Sequence, residues 1–162
     1  MQKWLSEGSH YKDKLFAEEV SQNKLAEYDC IIIGSSVYLG QLLISKWLEK
    51  HEPILVNKGL FLFIVCGTNP EEKQKLRSIV HAGVPAEIRN QCELYFLRGR
   101  IDVKKLSWLD RFIIGLGSKL AQTQEEKAMF SNFDFVDKSN TEPLLRAIQK
   151  YQIHDSKSSV MH

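Results

Sequence analysis

Residues 29–40 read Asp-Cys-Ile-Ile-Ile-Gly-Ser-Ser-Val-Tyr-Leu-Gly, and four consecutive apolar residues, three of them β-branched, run straight into small ones. No polar residue alternates with Cys30, Ile31, Ile32 and Ile33, so a strand built from them has no solvent face. Such a run suits a parallel strand covered by helices on both sides. The small residues that follow let the backbone come close to a ligand, and open α/β sheets bind ligands beyond the carboxyl ends of their strands. One stretch therefore predicts a fold class and the end of the sheet where a small-molecule site belongs.

Two further runs repeat the pattern. Leu60–Cys66 ends in Gly67-Thr68-Asn69-Pro70, and Cys92–Leu97 ends in Arg98-Gly99-Arg100. Between them lie helical patterns. Leu42, Leu43, Lys46, Trp47 and Leu48 begin one that should close near His51, before Pro53. Asn69 is placed to cap the next, with Pro70 at its first position, Glu71 and Glu72 in its first turn, and Gly83 marking its end. The last helix reads Leu144, Leu145, Ile148 and Tyr151, opened by Asn140 or Thr141. Strands alternating with helices at this spacing imply a parallel sheet. Nearer the start, Lys14–Phe16 is a short strand candidate, Val20–Glu27 a brief helix, and Met1–Glu7 the last turns of another helix. A single domain over residues 1–152 is expected, with residues 153–162 as a disordered tail.

The bulk properties exclude several classes. A net charge of +2 over 162 residues gives no footprint for nucleic acid. Cys30, Cys66 and Cys92 form no CxxC, and their odd number and apolar surroundings favour buried thiols and a cytoplasmic setting. No apolar run reaches the ~20 residues of a membrane-spanning helix. The five histidines are scattered without metal-ligand spacing. No GxSxG or Walker pattern is present, and no catalytic side chain is expected.

The stretch Tyr28–Gly40 resembles the third strand and following flavin loop of the flavodoxin-like family, and the resemblance runs from about Trp4 to Tyr151. Trp108-Leu109-Asp110-Arg111-Phe112-Ile113-Ile114 is similar to a segment carried by the long-chain branch that includes menaquinone-dependent protoporphyrinogen oxidase. The resemblance implies an α/β fold, a three-layer sandwich around a parallel sheet of order 2-1-3-4-5, with FMN at the switch point. It implies cofactor contacts from Ser35, Ser36, Val37, Tyr38, Leu39 and Gly40 in the loop after one strand, and from Gly67, Thr68 and Asn69 after the next. Tyr38 is the aromatic available to stack on the isoalloxazine, and backbone amides in both loops are the donors for its edge. A partly exposed tyrosine that touches nothing is the plainer alternative. Electron transfer by bound FMN, in a protoporphyrinogen-oxidase-like reaction at its narrowest, is the implied function.

The family's first strand and its Ser/Thr/Gly-rich phosphate loop have no counterpart in the sequence, and the reading expects both to be encoded upstream of Met1. Without them FMN binding should be weak, since each charge-assisted hydrogen bond to the phosphate contributes about 1.5–3 kcal/mol. The strand at residues 30–33 would keep one unpaired side, where a second chain could add. A non-catalytic remnant that no longer binds FMN tightly is the competing reading. Residues 98–121 carry six basic residues against two acidic ones, and Leu109, Phe112, Ile113, Leu116 and Leu120 fall on one helical face. This segment, including the long-chain insert at 101–121, is expected to pack on its own domain. Alternatively it receives a quinone, tetrapyrrole or redox partner or rests peripherally on a membrane.

Overall fold

The apolar runs become neighbouring strands in the computed structural model, which describes residues 16–101 and 133–158. β1 (Cys30–Tyr38), the two-residue β2 (Gln41–Leu42), β3 (Gly59–Cys66) and β4 (Glu93–Arg98) form one sheet in the order β2-β1-β3-β4. β1, β3 and β4 are parallel, with Ile31 opposite Leu60 and Leu62 opposite Leu94. β2 runs antiparallel to the end of β1. A separate short ribbon joins β5 (Arg100–Ile101) to β6 (Phe133–Asp134).

Alternate residues of each strand feed two cores. Leu60, Leu62 and Ile64 of β3 and Ile33 of β1 pack against three helices: α2 (Ser45–Leu55), α3 (Lys73–Gly83) and α4 (Ala86–Gln91). Leu48, Leu55, Val80 and Ile88 are the helical side of that core. On the opposite face Phe61, with Ile32 and Phe63 beside it, meets Leu144 and Ile148 of α5 (Glu142–Ser158). The result is the expected α/β three-layer sandwich. A short helix α1 (Gln22–Ala26), capped by the Ser21 hydroxyl accepting from the Lys24 amide at 3.2 Å, leads into β1. Over residues 31–35 no strand among the described residues pairs with the side of β1 away from β3.

Several boundaries differ from those expected. α2 starts at Ser45, because Leu42 is drawn into the sheet as β2 and its side chain is buried. It then passes through Pro53 to Leu55. Pro53 lies on the exposed side, and the carbonyl that loses its helical donor belongs to exposed Glu49, where water can replace it. Burial of Leu48, His51 and Leu55 along one stripe carries the helix past the proline. α4 was not expected; a single buried residue, Ile88, leaves almost no periodic signal. The side chain that caps the entry to α5 is Asp137, which accepts from the Ser139 amide at 2.9 Å, and neither Asn140 nor Thr141 does so. Thr141 is buried instead, its hydroxyl donating to the Lys138 carbonyl at 2.7 Å. α5 continues to Ser158, so Ile153–Ser158, expected as the start of the tail, are helical. Phe16 is not in a strand and precedes a 3₁₀ turn at Ala17–Glu19. The expected helix at Met1–Glu7, residues Lys14 and Leu15, and the segment 102–121 with its Trp108–Ile114 motif lie outside the described residues.

Candidate functional site

Because β1, β3 and β4 point the same way, Tyr38, Cys66 and Arg98 finish at one end of the sheet. Ser36 lies opposite Val65, and Cys66 lies opposite Arg98. Ser36 and Thr68 are therefore at the same end, on neighbouring strands. All nine expected contact residues gather there: Ser35–Gly40 on β1 and its turn, Gly67–Asn69 just beyond β3.

The first group is not an open loop. β1 continues through Ser35, Ser36, Val37 and Tyr38, since Ser35 and Ser36 hydrogen-bond in register with β3 while Val37 and Tyr38 pair with Leu42 and Gln41. A two-residue turn, Leu39-Gly40, closes this hairpin with φ of 48° and 77°. Positive φ at both positions is the type I′ geometry that matches strand twist. Gly40 adopts it freely, whereas a leucine there costs about 1–2 kcal/mol. Buried Leu42 anchors the hairpin, its carbonyl accepting from the Ser45 hydroxyl at 2.6 Å, and the Leu43 amide donates to the Ser36 carbonyl at 3.1 Å. Tyr38, Leu39 and Leu43 are left exposed, at 44%, 61% and 65% of their surface. A fixed hairpin thus presents three apolar side chains where the ligand end of the sheet is expected.

The second group is built differently. Asn69 and Glu72 form a reciprocal cap: the Glu71 amide donates to the Asn69 carboxamide oxygen at 3.2 Å, and the Asn69 amide donates to the Glu72 carboxylate at 3.1 Å. This cap closes a turn before the helix, so α3 begins at Lys73 and not with Pro70. Thr68 is buried, and its amide and hydroxyl reach the Cys66 sulfur. Burial pushes the Cys66 thiol above its ordinary value of 9.0, opposed by Thr68 and by the nearby Arg98 charge. Cys66 accordingly keeps its proton in the folded chain. Stability from this group is complete below the unfolded pKa and is lost as pH rises through the folded one. We expect Cys66 to be alkylated by iodoacetamide at pH 8.5 at least ~tenfold more slowly in the native than in the urea-unfolded chain, followed by peptide mass mapping. Equal rates would show that the thiol is accessible and ionised.

Arg98 was not among the expected contacts. Its guanidinium lies 3.4 Å from the centre of the Phe135 ring, and Phe135 is fixed by its amide donating to the Gly99 carbonyl at 3.2 Å. The Arg98 Nε is buried with no hydrogen-bond partner among the described residues. The only sequence signal was position, a charge closing an apolar strand at the same end as the two glycine-containing turns.

Among the described residues no group of three or more His, Cys, Asp or Glu could hold a metal, and no helix is long and apolar enough to cross a membrane. All three cysteines are thiols. For FMN, whose place in this fold is the carboxyl end of the sheet, the residues present fit the ring. They offer an exposed tyrosine on a hairpin, a glycine-containing turn on the adjacent strand and an arginine Nε without an acceptor among the described residues. No curated protein and no solved structure matches the chain. A family model, "Flavodoxin domain", matches residues 10–128, well over half of the sequence. The parallel sheet, its two helical layers and this match together make the chain a member of the flavodoxin family, whose general role is FMN-dependent electron transfer.

Proposed function

We propose that this chain binds FMN at the carboxyl end of β1 and β3 and works as an electron-transfer flavoprotein. The observation that carries the reading is the register of Ser36 with Val65, which brings the Tyr38 hairpin and the Gly67–Asn69 turn to the same end of neighbouring strands. When bound, FMN supplies the redox chemistry, accepting and donating electrons. The chain's own residues position it. Tyr38 offers a ring face for stacking, Leu39 and Leu43 shield one side from water, and the turn at Gly67 admits the ring edge close to the backbone. No acid or base side chain is required.

A narrower form of the proposal is a protoporphyrinogen-oxidase-like activity with a quinone or tetrapyrrole partner near residues 98–121. It is supported by the Trp108–Ile114 resemblance.

The test is titration of the full chain into FMN, followed by flavin fluorescence. Binding quenches the emission, and Tyr38→Ala weakens it about tenfold, consistent with aromatic stacking contributions of about 0.5–1.5 kcal/mol. FMN that keeps its free emission at saturating protein would favour a non-catalytic scaffold.

A further inference from the structure

We propose that Arg98 faces the ring of the bound cofactor and raises the redox potential of the site by favouring the reduced form. The proposal rests on the reading that the carboxyl end of the sheet binds FMN. Arg98 closes β4 directly opposite Cys66, so its Cα stands beside the strand end from which the Gly67–Asn69 turn departs. Stacking on Phe135 at 3.4 Å fixes the plane of the guanidinium. A stacked arginine is preorganised for planar recognition in a way that a lysine is not.

Two features say that this arginine awaits an acceptor. Its Nε is buried without a hydrogen bond among the described residues, and native proteins rarely leave such a donor unsatisfied. Two described acids on neighbouring elements are already engaged. The Glu72 carboxylate accepts from the Asn69 amide and from Lys75, and Asp134 sits 3.8 Å from Arg100. Among the described residues Arg98 forms no ion pair, and its charge is felt at the Cys66 sulfur on the adjacent strand end. A positively charged donor held in a plane suits the carbonyl edge of the isoalloxazine pyrimidine. Uptake of two electrons and one proton leaves that ring one unit more negative. A neighbouring guanidinium therefore stabilises the reduced cofactor more than the oxidised one.

The experiment uses the full chain loaded with FMN, with dithionite as reductant, and reads the two-electron midpoint potential together with the dissociation constant for oxidised FMN. Arg98→Gln should bind the reduced form about tenfold less tightly relative to the oxidised form, a fall of about 30 mV. Arg98→Lys, which keeps the charge, should retain most of the potential. Phe135→Leu, which frees the guanidinium without removing it, should show a partial fall. It serves as the second variant if Arg98→Gln does not fold. Bound FMN with an unchanged midpoint in Arg98→Gln, or in Phe135→Leu where only that variant folds, overturns the assignment of Arg98. A wild-type chain that takes up no FMN overturns the cofactor reading itself, and the two failures are distinguishable.

Discussion

Phe61→Ala should lower the stability of the chain by about 3–5 kcal/mol, the range for removing a buried phenylalanine from a packed core. Phe61 is 1% exposed, in the middle of the central strand, and it meets Tyr151 edge-on with ring centres 5.9 Å apart. Its ring is the sheet's part of the core beneath Leu144 and Ile148, both essentially inaccessible. Truncation therefore leaves a cavity and also loosens α5 from that face. Since small domains have total stabilities of about 5–15 kcal/mol, such a loss approaches the margin for folding. Urea denaturation followed by far-UV circular dichroism measures it. A loss below 1 kcal/mol would mean that α5 does not pack on β3 as described.

The layered architecture was legible because it rests on composition along the chain. Ile31–Ile33 and Leu60–Cys66 are apolar on both faces, Cys92–Leu97 is so apart from Glu93, and a sheet covered on both sides satisfies such runs. The direction of the strands followed from the helices between them, so the sheet end holding Ser36 and Thr68 was also predictable. What could not be read was how β1 ends. Ser35 and Ser36 have turn chemistry, yet pairing with β3 keeps them extended, because tertiary hydrogen bonding outweighs a weak local preference. Leu39 hid the hairpin still better. The usual signal for a type I′ turn is Asn-Gly or Asp-Gly, and a leucine in the left-handed region gives none. Strain of this kind persists only where the surroundings impose it, and here the buried Leu42 anchor does so.

The site was legible to the extent that it is made of backbone. Gly67, Thr68 and Asn69 followed an apolar strand and were expected at its end. The setting of Arg98 was invisible because it depends on Phe135, which is brought beside it from 37 positions further along the chain. A pairing across that separation has no periodicity to betray it. The same holds for Asp137 as the cap before α5, whose identity depends on where the 3₁₀ turn begins.

Gly34→Val should destabilise the chain by about 1–3 kcal/mol, and the loss should vanish when Phe63 is also replaced by alanine. In the sequence Gly34 invites the view that it leaves room for a ligand. The structure gives it another task. A Cβ built on Gly34 would fall 2.2 Å from the Phe63 Cζ and within 2.8 Å of both Cε atoms, so the phenylalanine ring lies across the glycine. Gly34 and Phe63 are register partners, and the ring is partly buried on the α5 side of the sheet. A side chain at residue 34 must push that ring outward and expose it. In the Phe63→Ala background the obstacle is gone, and a β-branched residue in a strand interior should be neutral or favourable. Urea melts of the four chains give the coupling energy directly, expected at 1 kcal/mol or more. Additivity to within about 0.5 kcal/mol would show that the ring does not depend on the glycine. Gly34 would then be free to meet a ligand.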